Sequence, residues 1–227
     1  MLRIQSLFVF ALFFIFNYVH AQTVTIDSAA RELERQRWNE ALTKDTSYHF
    51  NKEPNLFLQN AIKGIKPGTA VDIGMGQGRN AIYLAQMGWD VTGFDIADEA
   101  LAVANANAQR KKVKIKTVQQ GSEEFDFGDN QWDLVSFIYS GCMEDINGLS
   151  QRIKKGIRPG GLLVFEFCHR DAGVEMNRFD FGCPTNLEKQ ILLKIGGFEI
   201  ISYQEVVDKC DYGLEPYKLV RMIAKRI

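Results

Sequence analysis

The sequence predicts an α/β domain, a doubly wound and mostly parallel seven-stranded sheet that ends in an antiparallel C-terminal strand pair. Three observations predict it. From residue 55 onward short apolar runs alternate with helical segments, the pattern of a sheet covered on both faces. A glycine-rich turn, "GMGQG" (74–78), stands between the first apolar run and the helix after it. The last two apolar runs follow each other with no helix between them.

The elements follow in order. "SAARELERQRWNEALTK" (28–44) is a charged helix with Ser28 as its N-cap, and "NLFLQNAIKGI" (55–65) is a second one after Pro54. "TAVDI" (69–73) is the first strand and "GRNAIYLAQMG" (78–88) its helix; "DVTGFDI" (90–96) is the second strand, and the alanine-rich "DEALAVANANAQRK" (98–111) the helix that follows it. "VKIKTVQ" (113–119), "WDLVSFIY" (132–139) and "GGLLVFEF" (160–167) are further strands, with the helix "INGLSQRIKKGI" (146–157) before the last. "LEKQILLKIGG" (187–197) is the final helix, and "FEIISYQEVV" (198–207) and "YKLVRMIAKR" (217–226) make the closing pair. Between strand and helix, "CHRDAGVEMNRFDFGCPTN" (168–186) lacks a clear period and reads as an acceptor loop or lid.

Composition bounds what the domain does. With 227 residues, 46 % of them hydrophobic, the chain can bury one core, and a net charge of -1 gives no reason to expect nucleic acid as a partner. The short basic run "RKKVKIK" (110–116) reads as the solvated end of a helix. Residues 1–21 have the layout of a signal peptide: Arg3, an apolar stretch from Leu7 to Val19, then Ala21 before the predicted cut. That stretch is short for a spanning helix, which needs roughly 20 residues. The expected location is therefore exported, periplasmic or secreted, with a membrane contact only if the leader stays uncleaved as an anchor. Residues 22–54 read as a linker and helical lid, and 55–227 as the main domain.

Cys142, Cys168, Cys183 and Cys210 show no CxxC spacing, so no metal site is assigned. Buried or free thiols are the plain expectation, and export would permit a Cys168–Cys183 bridge across the lid. Cys142, Cys168 and Cys183 follow strands or lie in the lid, so a second expectation brings all three to the pocket mouth, where thiolates would suit a soft metalloid acceptor.

The glycine turn carries the chemistry. In a doubly wound sheet the first strand-to-helix turn lies at the switch point, where glycines let a ligand touch the backbone and helix N–H groups favour a negative charge. Asp72 adds an acceptor beside them, so the turn suits an amino-acid-like ligand that bears both charges. A dinucleotide fingerprint wants GxGxxG, whereas Gly74, Gly76 and Gly78 follow DxGxGxG, with Arg79 in place of the last glycine. Asp95, 23 residues after Asp72, ends the second strand, where it can accept from ribose hydroxyls.

With these motifs the chain resembles the class I S-adenosylmethionine-dependent methyltransferases, from about Trp38 to the C-terminus. "AVDIGMGQGRNAIYLAQMGWDVTGFD" resembles the first two motifs, "WDLVSFIY" the fourth strand, "IRPGGLLVFEF" the turn into the fifth, and the closing pair is similar too. "RW" and "EPNLFL" (53–58) resemble small bacterial members of the tellurite-resistance and thiopurine type. The resemblance implies a Rossmann-like fold, S-adenosyl-L-methionine as cofactor and a small-molecule methyl acceptor. It also implies that Asp72 and the Gly74, Gly76 and Gly78 backbone hold the methionine part, that Asp95 binds the ribose and that Ile96 lies against the adenine. Tyr139 and Ser140 would line the floor near the methyl group.

The chain departs from the family at two places. Where the family carries an acid for the adenine amino group, this chain has Gly121, with Ser122 and Glu123 as substitutes. Met75 stands where a smaller residue is usual. A general base is optional for sulfonium chemistry, and Tyr139 and His169 are the candidates, with His49 in the N-terminal lid. "YSGC" (139–142) is not the asparagine–proline–proline motif of base- and glutamine-modifying subfamilies. Two other readings stay open: a non-catalytic binding protein on the same fold, and a nicotinamide oxidoreductase, against which the glycine spacing argues.

Overall fold

Five strands run parallel: β1 (Thr69–Ile73), β2 (Asp90–Asp95), β3 (Lys116–Gln119), β4 (Trp132–Ile138) and β5 (Ile157–Cys168). The hairpin β6 (Phe198–Lys209) and β7 (Pro216–Arg226) closes the sheet antiparallel to β5, in the order β3-β2-β1-β4-β5-β7-β6. The structure is a computed structural model and describes residues 28–44, 49–142, 148–176 and 182–227. The predicted leader and its cleavage point lie outside the described residues.

The order explains the crevice. The chain lays β2 and β3 on one side of β1 and then returns to place β4 on the other, so direction of growth reverses between β1 and β4. β1 is buried on both faces from Ala70 to Ile73, hence its continuous apolar run. Asp72 and Ser136, in register across β1 and β4, are the buried polar exceptions in these strands.

Helices cover the sheet: α1 (Ser28–Asn39), α2 (Leu56–Ala61), α3 (Arg79–Gln86), α4 (Asp98–Arg110), α5 (Leu149–Gly156), α6 (Arg170–Glu175) and α7 (Leu187–Ile195). Several differ from the sequence reading. Ser28 is itself helical, not a cap, and α1 runs into a π-helical turn at Glu40–Lys44. α2 stops at Ala61, short of the expected 65; Asn55 caps its start by accepting the Leu58 N–H at 2.9 Å. α6 occupies part of the stretch expected to be irregular, because His169 caps it.

α1 is docked by a capping exchange. The N-cap of α4, Ala97, has no side chain to satisfy the free N–H groups there. Asn39 of α1 supplies it from outside, accepting the Glu99 N–H at 3.0 Å and donating to Asp98 at 2.8 Å. Lys44 pairs with Glu99 at 2.9 Å, and Arg35 with Asp98. Among the described residues no helix is long and apolar enough to cross a membrane.

Candidate functional site

A cavity of about 580 Å³ opens at the carboxyl ends of β1, β2, β4 and β5 and is roofed by Trp38 and Leu42 from the first helix and its π turn. Gly74 and Gly76 form one wall. Both have positive φ, +59° and +50°, and a Cβ on Gly74 would fall 1.9 Å from the Ser140 hydroxyl oxygen, so only glycine lets the β1 and β4 turns meet. Gly78 does something else. It does not line the cavity; at φ +81° it opens α3, and a Cβ there would fall 2.9 Å from the Ala104 Cβ of α4. The third glycine therefore sets a helix–helix distance.

Met75 resolves its own anomaly. Its side chain is buried over β2, where a Cβ on Gly93 would fall 2.3 Å from the Met75 sulfur. The larger residue in the turn is matched by an absent one in the next strand.

The two acids occupy different places. Asp95 is a hub: Oδ2 accepts the Gly76 N–H and Oδ1 the Ala97 N–H, both at 2.8 Å, which ties the two turns together at the cavity wall. Burial pushes its carboxyl up, against the pull of those N–H groups. Asp72 is buried and, unlike Asp95, does not line the cavity; its Oδ2 has no hydrogen-bond partner. Burial pushes its carboxyl to about 6, opposed by Ser136 and Arg79. An orphaned buried acceptor beside a backbone-lined cradle fits a ligand that brings an ammonium group.

Ile96, Ser122 and Glu123 line the far end. There the missing side chain at Gly121 is filled by its neighbour: a Cβ on Gly121 would fall 2.3 Å and 2.5 Å from the Glu123 carboxylate oxygens. Glu123 thus folds back over the α-carbon of residue 121. Arg152 pins this turn from outside, donating to the carbonyls of Ser122 at 2.8 Å and Phe125 at 2.9 Å. Phe94, in the cavity wall, stacks on Phe125 at 4.1 Å between ring centroids.

Tyr139 follows β4 directly at φ +57°, a left-handed conformation unusual for a tyrosine and held by its surroundings. Tyr212 donates its hydroxyl to the Tyr139 carbonyl, and the rings lie 4.9 Å apart. Burial pushes the Tyr139 phenol well up, so it stays protonated and is no general base at neutral pH. Tyr212, from the β6–β7 turn, lines the cavity and carries no motif in the sequence.

The histidines stand elsewhere. His169 is buried, and its Nδ1 accepts the Asp171 N–H at 3.1 Å, so Nε2 carries the proton and faces the Thr185 hydroxyl at 2.9 Å. Burial and Lys218 hold it neutral, and it does not line the cavity. His49 is exposed, its carbonyl accepting the Gly213 N–H at 3.0 Å. Neither imidazole reaches the cavity.

The cysteine expectations need correction. Cys183 is bonded to Cys142, not to Cys168, and the pair joins the β4 end to the loop before α7. Cys168 lies under the rim, buried against Cys210 with the sulfurs 3.2 Å apart. Three thiolates therefore do not converge, because β5 places Cys168 on the hairpin side of the strand end. Beneath the cavity a buried network also escaped the sequence reading. Asn55 donates to Glu166 at 2.6 Å and to Asp211 at 2.8 Å, Arg79 pairs with Asp211 at 2.6 Å, and Arg221 pairs with Glu166. Arg79, which stands where a dinucleotide fingerprint would carry its last glycine, is thus held by Asp211 in this network.

A methyltransferase-domain family matches residues 70–161. The chain is 32% identical over 197 residues to the probable S-adenosyl-L-methionine-dependent methyltransferase TehB of Haemophilus influenzae, covering 76% of this chain and 66% of that protein. It spans only 43% of TehB from another strain of that organism. It is 31% identical to a putative methyltransferase of a Geobacillus species, covering 65% of this chain and 69% of that one. The crystal structure of TehB from Haemophilus influenzae superposes with a TM-score of 0.66 at 20% identity, over 85% of this chain and 67% of that one.

Proposed function

The chain belongs to the class I S-adenosylmethionine-dependent methyltransferases, and on that premise we propose that it methylates a small-molecule acceptor in the cavity above β4 and β5. The single observation that carries this reading is the cradle itself: the bare Gly74 and Gly76 backbone and Asp95 in the cavity wall, with Asp72 buried two residues before Gly74 and one of its carboxylate oxygens unpartnered. Bound there, the cofactor supplies a methyl group already activated on a sulfonium. The residues then have three tasks. Asp72 answers the ammonium, Asp95 accepts from ribose hydroxyls, and Ile96 with Glu123 and Ser122 receives the adenine.

The remaining work is alignment and exclusion of water. Trp38 and Leu42 roof the cavity, and Tyr212 buttresses the Tyr139 backbone at the floor. Neither His49 nor His169 lines the cavity and the Tyr139 phenol stays protonated, so none of the three serves as a base for the acceptor. Calorimetric titration of the folded chain with S-adenosylmethionine and S-adenosylhomocysteine tests it. Micromolar binding of both is expected, and no binding of either would end the methyltransferase reading.

We also infer export. The signal-like leader and the Cys142–Cys183 bridge both support an oxidising compartment. Cell fractionation with N-terminal sequencing should find a periplasmic or secreted chain beginning at Gln22; a cytosolic chain that keeps its leader would overturn this.

A further inference from the structure

Cys142, Cys183 and Glu188 meet at the rim of the cavity, and their sulfur and carboxylate oxygen atoms all lie within 4.8 Å of one another. Among the described residues this is the one such grouping of three. Cys142 lines the cavity, while Cys183 and Glu188 are buried behind it. The two sulfurs are bonded to each other, with Cα atoms 5.5 Å apart. The geometry assigns to the reduced form of this cluster a binding site for one thiophilic divalent cation of the zinc or cadmium class.

The donor chemistry suits such an ion. Two thiolates and one carboxylate form a borderline-soft set, and three protein ligands are the pattern of a zinc site with its fourth position open. Since Cys142 is part of the cavity wall, water from the cavity reaches that position. Two sulfurs on one tetrahedral zinc stand about 3.8 Å apart, given Zn–S ≈ 2.3 Å. Side-chain rotation reaches that spacing from the observed Cα separation with the backbone in place. Among the described residues no carboxylate is grouped in this way with Cys168 and Cys210, the other thiol pair.

Redox state gates the site, because disulfide sulfurs offer no thiolate. A trialkylphosphine opens it: the phosphine takes oxygen from one water molecule and becomes the phosphine oxide, its two electrons break the S–S bond, and the two protons of that water complete the thiols. The cation then displaces those two protons.

The test reads metal alone, with no cofactor present, so it stands or falls apart from the methyl-transfer reading. The full chain is reduced with phosphine, freed of it anaerobically and titrated with cadmium, following the thiolate-to-cadmium charge-transfer absorbance. One equivalent should bind with the intensity of two thiolates, and the oxidised chain should show no band. Cys142→Ser should halve the intensity and weaken binding about a hundredfold, and Glu188→Gln should keep the intensity with affinity reduced at least about tenfold. If reduction unfolds the chain, recovery of helical circular dichroism on adding one equivalent of cadmium supports the site. Absence of that recovery, no stoichiometric band in a folded reduced chain, full intensity in Cys142→Ser, or unchanged affinity in Glu188→Gln overturns it.

Discussion

Asp72 places a carboxyl group in the core with one oxygen unanswered, and its raised affinity for a proton has two opposite consequences. Its folded value of about 6 lies above the ordinary 3.8 of an aspartate, so its contribution to stability is fully present below about pH 4 and is lost as pH rises through 6. Keeping it ionised at pH 7 costs about 3 kcal/mol. Asp72→Asn should therefore raise the melting temperature at neutral pH while weakening S-adenosylhomocysteine binding. In the wild type, calorimetry across pH should show affinity level above pH 6 and falling by up to about tenfold per unit below it, a slope the Asn variant lacks. Glu123 offers a second residue-scale test. Glu123→Ala should weaken binding about tenfold to a hundredfold, as expected for loss of one hydrogen bond to a buried group. Adding Gly121→Asp, with the space over residue 121 now vacated, should recover part of that loss; no recovery would separate Glu123 from adenine recognition.

At the scale of elements, the three glycines of one turn divide between two jobs. Gly74 and Gly76 face the cavity, whereas Gly78 lets α3 and α4 approach. Gly78→Ala meets both a positive φ and the Ala104 methyl group, so it should lower unfolding stability by about 1–3 kcal/mol while the folded fraction binds cofactor normally. Denaturant unfolding alongside titration separates the two effects. The same scale explains the lid. α4 starts without a capping side chain of its own, and Asn39 supplies the cap from α1, so the roof of the cavity is held by the helix whose first turn it satisfies.

At the scale of the whole molecule, the Cys142–Cys183 bridge closes a loop across a sequence separation of 41 that contains α5, β5 and α6. Chain entropy gives such a closure about 4 kcal/mol of stabilisation. Equilibrium unfolding with and without a phosphine reductant should show a loss of up to that size, and an unchanged midpoint would mean that the bridge constrains nothing the fold does not already hold. The loop carries the β5 end and Arg170, which lines the cavity, so the bridge also keeps the acceptor side joined to the β4 end.

The sheet, its parallel run and its closing hairpin were legible in the sequence because strand burial and helix periodicity are local properties, written residue by residue in apolar spacing. The same holds for the glycine turn and for Asp95, whose places follow from being next to a strand end. What only the tertiary structure decided are the pairings between distant segments: Met75 over Gly93, Glu123 over Gly121, Asn39 on α4, Tyr212 under Tyr139, and Cys142 with Cys183 in place of Cys168. No local pattern encodes these, since each depends on which side of a strand end a loop leaves and how closely two backbones approach. Sequence thus determined what kind of cradle this chain builds, and packing decided which side chains close it.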